Sequence, residues 1–298
     1  MRAILSLTLV LMTVTPACSG DAASVDRDEQ MVGVVASFYP LAFVAERVGG
    51  DRATVTNLTP PGVEPHDLEL TPDDLESIAT ADVVIDVGGG FQPSVEEAVA
   101  AEASGITIDA LAGAPALPDG QDGGGDPHVW LDPTLVANLT DRVAEALAEA
   151  DPTGAAGFAD RAAMLRAELE TLDGEFREGL ASCRSRVLIT NHAAFGYLAA
   201  AYDLDQRAIS GLSPEAEPDP GRIAELAAEA EREGVTTIFT EELVSAEVAE
   251  TLASEAGLAT AVLSPLEGLS EERAAAGEDY LSVMRTNLEV IRDGLGCA

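Results

Sequence analysis

"MVGVVASFYPLAFVAERVGGDRATVTNL", residues 31–58, decides the fold. It opens on an apolar run rich in β-branched residues, continues through a stretch with helical apolar spacing, and closes on a second β-branched run, ATVTNL. That succession predicts a strand, a covering helix and a second strand. Two strands joined through a helix lie parallel, because a parallel crossover needs a connection of about a dozen residues or more. The order continues with strands in ADVVIDVG (81–88) and GITIDA (105–110), and helical patterns over about 41–49, 72–80 and 93–103. It starts again near residue 186. RVLITN, DQRAIS, TTIFT and LATAVLS are the second set of strands, with helices over about 194–202, 219–233, 245–256 and 277–294. The expectation is an α/β protein of two (β/α)4-like lobes, each a parallel sheet covered by helices.

Between the lobes, residues 152–180 carry Phe158, Met164, Leu165, Leu169, Leu172, Phe176 and Leu180, mostly three or four apart. This predicts one connecting helix of about 28 residues and about 42 Å, stiff enough that the lobes close on a ligand by small movements. Gly174 is its weak point. The expected organisation is a signal peptide over 1–17, a tether over 18–30, a first lobe over 31–150, the connecting helix over 151–181 and a second lobe over 182–298. Thr71-Pro72, Asp132-Pro133, Asp151-Pro152 and Asp219-Pro220 each place a capping side chain before a proline, which reads as a helix start.

The bulk composition excludes several classes. Hydrophobic residues make up 47% of the 298, too many for general disorder. The net charge of −37, with 53 acidic residues against 16 basic ones that are all arginine, argues against a nucleic-acid partner. The absence of lysine together with richness in Ala and Gly reads as codon bias in a GC-rich genome. An acidic surface also attracts cations weakly over a Debye length of about 8–10 Å.

The N-terminus, MRAILSLTLVLMTVTPACSGD, has one positive charge, an apolar run from Ile4 to Val14 and small residues before Cys18. This is a secretory signal pattern, too short to span a membrane comfortably. Its end resembles a bacterial lipobox, with Cys18 as the lipidated first residue of the mature chain, although Thr15 stands where a leucine is usual. A plain cleaved signal is the alternative. If Cys18 carries lipid, Cys183 and Cys297 remain as an even pair in an oxidising compartment, either disulfide-bonded or as two free thiols.

Only three histidines occur, and all follow a predicted strand. His66 comes after the second strand, His128 after the fourth strand and a Gly-rich loop, and His192 after the first strand of the second lobe. In open parallel sheets the carboxyl edge is where ligands bind. Three imidazoles from such edges, contributed by both lobes, point to a site between them. Imidazole suits zinc, copper, nickel or iron rather than magnesium or calcium. A fourth ligand from the second lobe could be Glu267, Glu241 or Glu242. Glu64, Asp67 and Asp126 are candidate neighbouring carboxylates, since a metal-bound imidazole usually donates its other N–H to an acceptor.

At this point the chain resembles the metal-binding substrate-binding lipoproteins of bacterial ABC transporters, the zinc and manganese group called cluster A-I or cluster 9. The stretches that carry the likeness are SFYPLAFVAERVGGD, EPHDLELTPDDL, PHVWLDP, NHAAFGYLAAAYDL, GLSPEAEPDP, FTEELVS, SPLEGLS and YLSVMRTNLEVIRDGL, in the family's order from about 32 to 295. The resemblance implies two lobes on a long backbone helix, with His66, His128, His192 and Glu267 around Zn(II) carried as cargo. Some members use water or an aspartate as the fourth ligand, but Ser264 stands where that aspartate would precede Pro265. A histidine at the third position, His192, implies zinc, where a carboxylate would imply manganese. The implied role is an extracytoplasmic monomer, held to the membrane by its N-terminal lipid, that captures Zn(II), performs no chemistry and passes the ion to an ABC permease. The alternatives are the same role for Mn(II) or Fe(II), and a zinc hydrolase with Glu241 or Glu242 as base, against which stands the lack of an HExxH motif. An adhesin-like surface role is left open. One departure is the loop LAGAPALPDGQDGGGDP, which lacks the histidines many zinc members carry there. Its Asp119, Asp122 and Asp126 either draw in cations as part of a lid or belong to a shortened surface loop.

Overall fold

The computed structural model describes residues 31–117, 125–214 and 220–298. The signal segment, Cys18, the tether, Asp119, Asp122 and Asp219 lie outside the described residues. The first lobe runs β1 (Val32–Ala36), α1 (Tyr39–Gly49), β2 (Ala53–Asn57), α2 (Pro72–Thr80), β3 (Val83–Asp86), α3 (Pro93–Glu102), β4 (Ile106–Asp109) and α4 (Pro133–Ala150). After α5 (Ala155–Gly179) come β5 (Val187–Thr190), α6 (Gly196–Ala201), β6 (Asp205–Ala208), α7 (Pro220–Glu233), β7 (Thr237–Thr240), α8 (Glu247–Ala256), β8 (Ala259–Val262), α9 (Glu271–Ala276) and α10 (Tyr280–Leu295). The two sheets have strand orders β2-β1-β3-β4 and β6-β5-β7-β8, parallel throughout and identical in permutation. All eight expected strands are present. The central strands β3 and β7 are buried at every position, as expected when helices cover both faces.

The helix starts follow local chemistry. Thr71 and Asp74 form a reciprocal capping box at α2, and Asp132 accepts from the backbone N–H of Thr134 at α4. Asp151-Pro152 does not start a helix. Asp151 Oδ1 instead accepts from both the backbone N–H and the hydroxyl of Thr153, which closes a turn, and α5 begins at Ala155 behind Gly154. At 25 residues α5 is about 37 Å long, shorter than expected. Its buried stripe is Phe158, Ala162, Leu165, Leu169, Leu172 and Phe176, in alternating steps of four and three. Met164, expected on that stripe, is 58% exposed because it lies one residue, about 100°, off it. The terminal helix expected over about 277–294 is α10, which starts at Tyr280, and α9 is a short additional helix before it that the sequence reading did not place. Gly277, at φ 73°, ends α9 in a left-handed turn, and Asp279 then caps α10.

One continuous apolar core runs from β1 and β3 through α1, α4 and the inner face of α5 into α10, including Phe38, Val44, Trp130, Leu169, Tyr280 and Ile291. Smaller cores lie beneath α7 and α8 and beneath α2 and α3. The lobes therefore share their central packing instead of meeting through a solvated hinge. Arginines complete the frame by capping helix ends. Arg161 donates to the carbonyls of Val48 and Gly49 at the end of α1, and Arg186 donates to those of Leu180 and Asp203. Cys183 and Cys297 are bonded, pinning the segment after α5 to the end of α10 across 114 residues. In the chain-entropy picture a loop of that length contributes about 4–5 kcal/mol. Among the described residues no helix is long and apolar enough to cross a membrane.

Candidate metal centre

Both sheets send the loops at their carboxyl edges into one place. His66 lies between β2 and α2, where its backbone N–H donates to Glu64 Oε2 at 3.0 Å. His128 opens the turn Val129–Leu131, whose three side chains are buried. Asp126 Oδ1 accepts from both the backbone N–H and the Nδ1 of His128, at 2.9 and 2.7 Å. His192 follows β5. Glu241, just after β7, repeats the arrangement, accepting from the His192 backbone N–H at 3.2 Å and from its Nδ1 at 2.7 Å. A carboxylate can only accept, so in both residues Nδ1 carries the proton bonded to its carboxylate, and Nε2 is the ring atom left to face the pocket.

Those Nε2 atoms converge on one oxygen. Glu267 Oε1 lies 3.0 Å from His192 Nε2, 3.2 Å from His128 Nε2 and 3.5 Å from His66 Nε2. The candidate ligand atoms of the four residues all lie within 4.8 Å of one another. Their side chains are 9%, 0%, 0% and 3% exposed for His66, His128, His192 and Glu267. His66 Nε2 and His128 Nε2 are buried without a hydrogen-bond partner. Behind the imidazoles stand Phe91, 4.6 Å from the His66 ring, and Trp130, 5.0 Å from the His128 ring.

The charges in this pocket push strongly on one another. Burial pushes the His192 imidazole down, but the adjacent charges of Glu267 and Glu241 outweigh it and hold it well above the usual range. His128 is likewise raised, burial being overcome by Asp126 and Glu267. Burial alone would raise Glu267, yet the imidazoles of His192, His128 and His66 hold it well below an ordinary glutamate. Glu64 is pushed up to about 7, by burial first and then by the charge of Glu267.

The loop that presents Glu267 is fixed at several points. Asn287, buried in α10, accepts from the backbone N–H of Ser264 and donates to its carbonyl, at 3.0 and 2.7 Å. Ser264 Oγ accepts from the N–H of Leu266. Leu266 is fully buried at φ 54°, a left-handed conformation that costs a branched side chain about 1–2 kcal/mol and persists only where its surroundings enforce it.

The structure thus brings together His66, His128, His192 and Glu267, and places Asp126 against His128. Glu64 touches His66 only through the backbone, and no hydrogen bond joins Asp67 to an imidazole among the contacts described. Glu241 as the partner of His192 was missed by sequence reasoning, which weighed it as a ligand or a base; its position just past β7, at the same sheet edge as His192, was the available signal. Glu242 is paired with Arg273 at 2.7 Å.

A family model for ZnuA, the periplasmic zinc-uptake complex component A, matches residues 34–294. The chain belongs to the ZnuA family. Among ZnuA-like relatives, the high-affinity zinc uptake system protein ZnuA of Bacillus subtilis is 35% identical, covering 93% of this chain and 92% of that protein. The zinc-binding protein AdcA of Streptococcus pyogenes is also 35% identical over 89% of this chain, but only 56% of AdcA is covered, so the chain spans about half the length of such relatives. The Zn(II)-bound ZnuA-like domain of Streptococcus pneumoniae AdcA superposes with a TM-score of 0.78 at 36% identity, covering 89% of this chain and 99% of that domain.

Proposed function

We propose that this ZnuA-family chain captures Zn(II) outside the cytoplasm through His66, His128, His192 and Glu267, and delivers it to the permease of an ABC transporter. One observation carries the reading. Three imidazole Nε2 atoms face a single carboxylate oxygen in a buried pocket. Protons hold them there without a metal, and once those protons leave, their lone pairs repel the carboxylate and one another unless a cation takes the protons' place. A tetrahedral zinc with bonds of about 2.0–2.1 Å spaces its ligand atoms about 3.3 Å apart. The separations of 3.0, 3.2 and 3.5 Å bracket that value. The nitrogen-rich set favours zinc over manganese, which prefers oxygen. Asp126 and Glu241 orient two of the rings from behind, as partners of metal-bound histidines do.

All four side chains come from one chain, which supports a monomer as the working unit. Lipid on Cys18 would keep it beside the permease. A hydrolase needs a coordination position open to water and a free base. Here the ligands are buried, Glu241 is engaged by His192 and Glu242 by Arg273, so transport is the better reading. The test is native mass spectrometry of mature protein offered equimolar Zn(II) and Mn(II). One zinc per chain is expected, with His128→Ala losing zinc by at least a hundredfold in affinity. A preference for manganese, or unchanged zinc binding in His128→Ala, overturns the assignment.

A further inference from the structure

Trp130 is the only tryptophan in the chain and is buried, yet its indole N–H is not spent within its own lobe. It donates at 2.8 Å to the carbonyl of Pro265, in the loop after β8 of the other lobe. Pro265 stands two residues before Glu267, and Trp130 two residues after His128. The carbonyl of Trp130 in turn accepts from the hydroxyl of Tyr280 on α10, at 2.7 Å, and Tyr280 is itself fully buried. The indole is wedged against Phe38 and Phe91, with ring centroids 4.6 and 4.9 Å away. On the far side of the loop, Asn287 holds Ser264 by both backbone groups, and Leu266 is kept left-handed between these anchors.

We infer that Trp130 is a positioning residue for the metal site, a strut that fixes the aim of Glu267 relative to His128 across the cleft. The inference rests on the proposed zinc site. A buried peptide carbonyl held by one indole N–H has nowhere else to turn, so the loop's height over the imidazoles is set by Trp130, while Asn287 sets its base. With Glu267 so fixed, one of its oxygens faces the three Nε2 atoms and the ligand set is closed at four. Four-coordination suits zinc, whereas manganese takes more oxygen ligands. Trp130 therefore acts on selectivity without touching the ion.

Trp130→Phe keeps an aromatic ring in the wedge and deletes the donor together with part of the indole's buried bulk. A Glu267→Gln background separates the loss that runs through Glu267 from a general loosening of the wedge. Its readout is the visible spectrum of the Co(II)-loaded protein, which is intense for a tetrahedral site and weak at higher coordination, together with zinc and manganese affinities. Wild type should give the tetrahedral spectrum. Trp130→Phe should weaken that absorption, bind zinc about tenfold to a hundredfold less tightly, and change manganese affinity less than zinc affinity. Because the effect runs through Glu267, Trp130→Phe should cost little further zinc affinity in a Glu267→Gln background. Should Trp130→Phe not fold, Tyr280→Phe releases the other end of the strut, and a reduced cobalt absorption is expected there too. An undiminished tetrahedral spectrum in the folded variant, or a zinc loss that adds in full to that of Glu267→Gln, overturns the strut. A wild-type protein that binds neither zinc nor cobalt overturns the site itself, and the two failures are separate results.

Discussion

Asp86 and Asp109 are register partners at the ends of β3 and β4, two carboxylates facing each other at the carboxyl edge of the first sheet. Asp109 accepts from the N–H groups of Gly88 and Leu111. Asp86, nearly buried, is pushed up to about 6, first by burial and then by the charges of Asp109 and Glu96. The unfolded chain loses this proton near pH 4 and the folded chain only near pH 6. The folded state therefore binds the extra proton between those values, and stability falls as pH rises through that window. Asp86→Asn should stabilise the protein at pH 7 by about 2 kcal/mol, with the gain vanishing below about pH 4; urea titrations at the two pH values check it, and an equal effect at both would refute the assignment. At this scale the histidines were legible, because scarcity and position after strands single out an imidazole. Glu241 was not, because a glutamate among so many others has no mark in the sequence that says which imidazole it holds.

The amphipathic pattern of α5 shows where a periodic reading succeeds and where it slips. Its larger apolar residues repeat closely enough to announce the helix, but Met164 and Ala162 exchange places between the expected and the observed stripe. Hydrophobicity favours Met164, whereas the spacing of Phe158 and Leu165 places Ala162 between them. Met164→Ala should change stability by less than about 0.5 kcal/mol, while Leu165→Ala costs about 2–5 kcal/mol. Gly174 is exposed in the interior of this helix, and a methyl group there meets nothing within 4 Å. Gly174→Ala should add about 1 kcal/mol, read as an increase in the denaturation midpoint at constant slope; a loss would mean that the helix needs to yield at that point.

Over the whole molecule the excess of carboxylates opposes compaction, since a net charge of −37 repels itself wherever solvent does not screen it. Salt shortens the Debye length from about 10 Å at 0.1 M to about 3 Å at 1 M. Zinc-free protein should therefore melt about 2–6 °C higher in 1 M than in 0.1 M sodium chloride, a gain of about 1–2 kcal/mol. A flat or falling melting temperature would show that surface pairs such as Arg47–Glu168 and Arg166–Asp141 outweigh the repulsion.

What the sequence by itself determined is everything carried by periodicity and local chemistry: eight strands in two sets, the helices between them, the caps of α2 and α4, and three histidines at sheet edges. These depend on neighbours a few residues away, and their signals lie within a short window. Only the tertiary structure decided which carboxylates meet which imidazoles, that the connecting helix starts after a turn at Asp151, that one core serves both lobes, and that Trp130 reaches Pro265 across 135 positions. Such contacts are set by how sheets and helices pack, and packing brings together residues that share no local pattern.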